Sequence, residues 1–455
     1  MKKYVLSLTT CLLSLCHATA QRQWTLDECM DYAMTHNTEI MHLQYEQQRR
    51  QTHAQAAKDA RLPRFYGDMG GYTGTFRFKG DDKRFDAYGS MLNMGLSGVL
   101  PLYTGNRLSS QIKANEYSLM AASENVRSAG KNIKAQVAAA YLQLLYNKGE
   151  VSIARQRQEY SRLLLKRATS LYDRGRRPES EVAEAEAIVS RDEAWLTAAK
   201  GDVELALLDL KMLLNLPDSV NFDICDLTDD MDADSLSKSS DPYTQEAAHH
   251  PSVKSAHFGI LQAEQGVKTA RSGYYPTLSL VGELGTHWLN LDTRTSYSRQ
   301  LPLTAFGKSF GNLSYNISYE TSWKQKNLFY GFVGLKLSIP IFDAFDTKAH
   351  IRNAKVNLED ARLTCDDARR RVEKDIRQAW QSAVAARKRY EAERKAVEAV
   401  ALSYSYALKR YDAGIATLFD LNQMHQQWFA ASENALRMRC EYLIRKRILD
   451  IHTQD

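Results

Sequence analysis

The chain is built twice. Pro101 is answered by Pro340, Ile133 by Val372, Val137 by Ile376, Tyr141 by Trp380, Tyr172 by Tyr411 and Gly175 by Gly414, all at one constant offset. A register held through so many positions of matching chemistry means one structural unit repeated, so the fold of the first half constrains that of the second. Upstream the repeat continues at a shorter offset, with His36-Asn37 answered by His250-Pro251 and Pro63 by Pro276. The first copy therefore holds a shorter insert between Pro63 and Pro101 than the second holds between Pro276 and Pro340.

Periodicity changes at these prolines. Before each, a helix of about 25 residues is expected, over Asn37 to Leu62 and Pro251 to Tyr275. After each, the period becomes two. In the clearest strand Phe329, Val333, Leu335, Leu337 and Ile339 alternate with Tyr330, Lys336 and Ser338, and Leu92 to Leu102 repeats that phase. The expected strands are 64–78, 87–103, 276–291 and 328–342. They form two hairpins, one with a short turn at Gly80-Asp81-Asp82 and one with a loop of Ser, Thr, Tyr and Asn from Asp292 to Asn327.

Aromatic residues gather at both strand ends: Phe65, Tyr66, Tyr103, Tyr274, Tyr275 and Phe342 at one, Phe78, Phe85, Trp288 and Phe329 at the other. A lipid-facing band bounded by two interfaces has this pattern. A soluble sandwich is the alternative, but four strands among very long helices leave no second sheet to pack on.

Gly105 to Arg174 and Asp346 to Asp412 contain no proline and are rich in Ala, Glu, Arg, Lys and Leu. Apolar positions recur at three and four, as in Ile133, Val137, Tyr141 and Leu144, or Val397, Val400, Tyr404, Leu408 and Tyr411. Each stretch reads as one helix of nearly 70 residues, roughly 105 Å long. Shorter helices, Glu179 to Leu216 and Thr417 to His452, follow breaks at Gly175-Pro178 and Gly414, giving two helical hairpins with tips near 175 and 414.

Outside the repeats, residues 1–20 read as an export signal: Lys2-Lys3, an apolar run from Val5 to Cys16, then Ala18-Thr19-Ala20. Lipid attachment at Cys16 is the competing reading, and Leu15 stands where a small residue is expected. The first repeat then covers 21–216, an acidic linker 217–241 and the second repeat 242–455. That linker holds eight aspartates. Asp230, Asp232 and Asp234 alternate as in a calcium loop, but Ser235 and Asp241 replace its glycine and its bidentate glutamate, so a solvated loop is expected.

No run reaches the roughly 18 apolar residues that a membrane-spanning helix needs, so any membrane crossing falls to the strands. The net charge of +6 is spread along the helices, which argues against a nucleic-acid partner. Cys29, Cys225, Cys365 and Cys440 show no metal or redox spacing, and a disulfide among them is left open. His249-His250, at a helix start beside Pro251, is expected to cap or to be solvated; no metal or cofactor is expected. Phosphate-binding loops, HExxH and GxSxG are absent, so the chain is not expected to be an enzyme.

Four strands cannot close a barrel, and open edges in lipid leave backbone groups unpaired. Two copies would make a filled barrel and three a twelve-stranded one with an open lumen. In its duplicated layout, its prolines Pro63 and Pro276, its strand-to-helix passages Leu100-Pro101-Leu102-Tyr103 and Ile339-Pro340-Ile341-Phe342, and its tips Tyr172-Asp173-Arg174-Gly175 and Tyr411-Asp412-Ala413-Gly414, the chain resembles the TolC family of outer-membrane efflux proteins.

The resemblance implies a mostly α fold with a β-barrel portion: a homotrimer whose hairpins form a periplasmic α-barrel below a twelve-stranded barrel in outer-membrane lipid. It implies a passive exit duct, opened by a periplasmic adaptor and an inner-membrane RND or ABC pump, for efflux or type I secretion. It also implies that tip residues hold the periplasmic entrance closed, with Tyr411 and Glu181 as one gate pair and Asp420 as a carboxylate ring that attracts cations and is harder to ionise. Gln423 stands where a second acid is often found, and Gly175, Gly414 and Tyr172 mark the adaptor-docking tips. The rival reading is a periplasmic coiled-coil scaffold or adhesin that conducts nothing.

Overall fold

A computed structural model describes residues 23–79, 83–225, 246–305 and 308–453. The expected export signal, the Gly80-Asp81-Asp82 turn and the linker aspartates Asp230, Asp232, Asp234 and Asp241 lie outside these residues. Contacts divide the chain into two compact units. One gathers the chain up to Gln51 with Tyr117–Ile260 and Asp360–Asp455; the other gathers Thr52–Glu116 and Leu261–Glu359.

The first unit is helical. A short parallel pairing of β1 (Gln23–Trp24) with β4 (Asp223–Ile224) ties its start to the chain after Leu214. Thr25 and Glu28 cap α1 (Leu26–His36) reciprocally, so two otherwise orphaned amides find acceptors. The long helix α3 (Arg107–Asp173) and its return α4 (Glu179–Leu214) form one hairpin, and α6 (Asp346–Asp412) with α7 (Leu418–Thr453) the other. Both long helices are 67 residues and both returns 36. The stripe Ile133, Val137, Tyr141 and Leu144 is fully buried with Leu210 and Leu214. Burying each such aliphatic side chain contributes about 1.5–3 kcal/mol. The Tyr141 hydroxyl donates to the Trp24 and Cys225 carbonyls, so the tyrosine is satisfied inside that core. On α6 much less is covered: Val397, Val400 and Leu408 are only half-buried, and Leu402 and Tyr406 are exposed.

The second unit holds the last part of α2 (Thr38–Asp59), from Thr52 on, and a four-stranded antiparallel sheet in the order β2-β3-β5-β6. Its strands are β2 (Arg64–Lys79), β3 (Lys83–Tyr103), β5 (Thr277–Ala305) and β6 (Lys308–Ser338). The helix α5 (Pro251–Arg271) leads into β5 through one 3₁₀ turn, Ser272–Tyr274.

One expectation is corrected here. Among the described residues, the stretch from Asp292 to Asn327 is a strand ladder and not a loop, pairing for example Thr293 with Thr321 and Tyr297 with Ile317, with one register shift between Pro302 and Thr304. By composition its Ser, Thr, Tyr and Asn suit a loop, but the Thr and Tyr fall on alternate positions, where β-branched and aromatic residues suit a strand. At its other end β6 stops at Ser338, because Pro340 cannot donate to a ladder.

Register sorts the sheet into two faces. One carries Phe65, Met69, Leu96, Leu280, Leu284, Phe329, Val333 and Leu335 across all four strands, without a charged residue between Leu278 and Trp288. That run covers about 33 Å of strand at ~3.3 Å per residue, and a tilt near 40° makes it roughly the 25 Å height of a lipid-facing band. The other face there is polar: Ser97 donates to Asp68, Tyr330 to Glu283, and His287 stacks on Tyr330. The side chains of Phe78 and Phe85, expected with Trp288 in the outer aromatic belt, lie outside the described residues. Phe65, Tyr66, Tyr103, Tyr274, Tyr275 and Phe342 at the other strand ends are all exposed.

Both strand-to-helix passages use two consecutive left-handed residues, Gly105-Asn106 in one copy and Ala344-Phe345 in the other. Each is followed by the same cap, the Leu108 amide donating to Thr104 and the Thr347 amide to Asp343. A Cβ on Gly105 would also sit 2.7 Å from the Tyr275 Cβ, so glycine is required there twice over.

Candidate functional site

Both helical hairpins turn by the same device. At the first tip the Gly175 amide donates to the Tyr172 carbonyl and Arg176 to Leu171; at the second, Gly414 donates to Tyr411 and Ile415 to Arg410. Gly175 and Gly414 have φ of +67° and +77°, which only glycine adopts without strain, and nothing stands within 4 Å of where a Cβ would be. Tyr172 is exposed beside its glycine, with open surface around the turn.

The two tips pack together inside one chain. Tyr411 is buried with Leu164, Ala168, Ala185, Leu418 and Leu421, so its ring fills the seam between the hairpins. The Arg167 and Arg177 guanidiniums stand 5.7 and 5.6 Å from that ring. Arg177 donates to Glu181 at 3.0 Å, and Arg167 pairs with Asp412. Burial pushes the Tyr411 hydroxyl up, and the Glu181 charge adds to it. Tyr411 and Glu181, the pair expected at the entrance, are neighbours without being joined: the Tyr411 hydroxyl and the Glu181 Oε2 are both buried without a hydrogen-bond partner among the described residues.

Asp420 has a second task. It accepts from the Thr417 amide at 3.0 Å and the Thr417 hydroxyl at 2.8 Å, while its own amide donates to Thr417. This is a capping box at the start of α7, and those bonds hold the carboxyl below the usual range. The expected upward shift requires neighbouring copies; within one chain the direction is down. Gln423, one turn on, is exposed.

Among the described residues no three His, Cys, Asp or Glu stand together as metal ligands, and the four cysteines are free thiols. His250 Nδ1 accepts from the Ser252 amide at 3.3 Å, capping α5. Residues 30–216 and 243–450 match the outer membrane efflux protein family. The chain belongs to that family.

Among curated relatives this efflux-family chain is 24% identical over 322 residues to the outer membrane efflux protein BepC of Brucella suis, covering 70% of its own length and 62% of BepC. It is 22% identical over 367 residues to the alkaline protease secretion protein AprF of Pseudomonas aeruginosa, covering 80% of itself and 69% of AprF. In fold it resembles the CmeC outer membrane channel of Campylobacter jejuni, with a TM-score of 0.72 at 17% identity over 94% of this chain and 85% of that one.

Sequence reasoning missed a buried layer behind the tips. His425 on α7 is 2% exposed, stacked 3.7 Å from Tyr160 and packed on Phe429, with Tyr404 stacked on Trp428 beside it. Further along, Arg157 pairs with Asp192 at 2.8 Å and lies 4.3 Å from the centre of the Trp195 ring. A histidine four residues after a buried leucine, on the same helix face as Leu421, was the available signal.

Burial, with Arg157 adding to it, lowers the His425 pKa to about 3. The unfolded chain, with a pKa near 6.5, takes up that proton first, so stability falls as pH drops below about 6.5. The expected loss from His425 is roughly 2 kcal/mol at pH 5. His250, lowered to about 4, works in the same direction, and Asp192, raised by burial, in the opposite one. Melting curves of the purified protein at pH 7.5 and 5 should therefore converge in part for His425→Phe; an unchanged pH difference would contradict the assignment.

Proposed function

We propose that the protein is the exit duct of a tripartite efflux or type I secretion system. Three copies close their sheets into one twelve-stranded barrel in the outer membrane, and their hairpins form a periplasmic α-barrel that meets an adaptor and an inner-membrane RND or ABC pump. The duct itself is passive, and the pump supplies the energy. The observation that carries this reading is the sheet: one apolar face across four strands, uncharged between Leu278 and Trp288, with β2 and β6 as open edges that lipid does not tolerate. All neighbours within the sheet are antiparallel, so β6 of one copy can continue antiparallel onto β2 of the next. Efflux and protease-secretion relatives match alike, so cargo is assigned to the pump. Envelope fractionation with oligomer mobility before and after heating tests the whole reading. Recovery as a water-soluble periplasmic species would support the scaffold instead.

At the tips we assign Tyr411 and Glu181 to the closed entrance and Asp420 to a ring facing the axis. Asp420→Asn keeps an acceptor for the cap and removes the charge, whereas Asp420→Ala also loses the cap, at a cost of about 0.5–2 kcal/mol. Both should relieve cation block in planar bilayers with the trimer intact. Block that survives Asp420→Asn would leave the residue a cap only. Gly175→Val and Gly414→Val force a β-branched residue into positive φ, costing at least about 1–2 kcal/mol locally. Adaptor docking and transport should fall together; undiminished transport would remove the tips as the docking surface.

A further inference from the structure

Four helices meet around a cavity of about 680 Å³ within the helical unit, a volume inside the roughly 300–1,000 Å³ range of small-molecule sites. The helix α3 lines it with Glu124, Arg127, Lys131 and Lys134, a spacing that puts all four on one helix face. From one face of α1 come Asp27, Met30, Asp31 and Met34. The first turn of α5 adds Lys254, and α7 adds Arg447, Asp450 and Ile451. The lining therefore combines an apolar part, Met30, Met34 and Ile451, with charges of both signs. Duplication does not explain this set. At the offset that relates Ile133 to Val372, the four α3 positions become Leu363, Asp366, Arg370 and Glu373, and only one charge keeps its sign.

Two ion pairs inside the cavity wall each use only part of a charged group. Arg127 donates to Glu124 Oε1 at 2.9 Å, and Arg447 Nη2 pairs with Asp27. Each pair leaves a second polar atom behind: Glu124 Oε2 and Arg447 Nε are buried without a hydrogen-bond partner among the described residues. Glu124 is 8% exposed, so bulk water does not readily serve its spare oxygen. Leaving a buried polar atom unpaired is unfavourable, and folded proteins supply nearly all such atoms with a complementary partner. These two are opposite in kind: one accepts and the other donates. Beyond the two ion pairs, Lys131, Lys134 and Lys254 stand against Asp31 and Asp450, an excess of one positive charge. The Lys131 charge also reaches His250, next to the cavity residue Pro251, where burial first and Lys131 second lower the pKa to about 4.

We propose that this cavity binds a short acidic peptide by its free amino terminus. The ammonium sits on Glu124 Oε2, and a carboxylate takes Arg447 Nε with the amines of Lys134 and Lys254 around it. An apolar first side chain packs on Met30, Met34 and Ile451. A single net negative charge on the ligand matches the excess of the walls. Helices α1 and α3 belong to the first copy of the repeat and α5 and α7 to the second, so the ligand ties the two halves of one chain together. The site lies within one chain and depends neither on how copies assemble nor on what the duct carries.

The dipeptide Leu-Glu is the probe, titrated calorimetrically into the purified, detergent-solubilised protein. It should bind and raise the melting temperature, because a ligand that binds only the folded chain stabilises it. N-acetyl-Leu-Glu lacks the ammonium and Leu-Gln amide lacks the carboxylates. Each should bind at least about tenfold more weakly, as expected when one charged hydrogen bond is lost. Glu124→Gln keeps the shape of the side chain and should abolish the difference between Leu-Glu and its acetylated form. Arg447→Lys keeps the charge, removes Nε and should weaken Leu-Glu by about tenfold. If Arg447→Lys lowers the amount of heat-sensitive oligomer, Lys134→Gln combined with Lys254→Gln tests the carboxylate end instead. Absence of Leu-Glu binding, by heat and by melting shift alike, overturns the proposal, and so does an affinity that Glu124→Gln leaves unmoved. Equal binding of the free and acetylated dipeptides to the parent chain would reveal an anion site with no place for an ammonium, and would overturn it as well.

Discussion

Asp192→Ala should destabilise the helical unit by about 3–5 kcal/mol. Asp192 is 1% exposed and Arg157 9%, so removing the carboxylate leaves a guanidinium in a site that water scarcely reaches. Arg157 cannot swing away at low cost, because it packs over Trp195. Much of the loss is the penalty of an uncompensated buried charge and not the value of the pair, which suggests a control. Replacing both partners by leucine should recover most of the stability, since two apolar side chains of similar size need no partner. Denaturant unfolding of the purified oligomer, or its survival in detergent on heating, measures the three variants. A single variant no weaker than the double one would show that the pair contributes no buried charge.

A charge on the lipid face comes next in size. Leu284→Arg, in the middle of the apolar run, should cost about 2–4 kcal/mol of membrane-embedded stability. Ser97→Arg, on the opposite face of the neighbouring strand, should be tolerated in assembly and should alter conductance instead. The contrast is informative because the two positions lie one ladder row apart. Yields of folded outer-membrane protein, judged by heat-modifiable mobility, provide the readout. Equal tolerance at both sites would contradict the lipid-facing assignment; equal loss would argue for a sheet buried on both sides.

Much of this architecture was legible before any coordinates. The long helices were visible because proline is absent from Arg107–Asp173 and Asp346–Asp412 and their apolar residues keep one period. Ile133, Val137, Tyr141 and Leu144 are buried for the reason their spacing implies. The tip turns could be located from glycine alone, as Gly175 and Gly414 have the positive φ that ends a helix. Elsewhere composition misled: Ser, Thr and Tyr between Asp292 and Asn327 resemble a loop until cross-strand partners are known.

What depended on sequence alone is local and periodic: the duplication, the element types, the hairpin tips, and an apolar strand face too regular for anything but a membrane or a core. Period and turn chemistry act over a few residues, so one chain segment is enough to reveal them. Only the tertiary structure could decide the pairings between distant segments. It sets Asp192 against Arg157 and His425 against Tyr160. It also holds Ala344 and Phe345 in the left-handed region, a conformation their side chains oppose and surrounding contacts must impose. Burial and partner choice are properties of what surrounds a side chain, and that surrounding comes from residues up to hundreds of positions away.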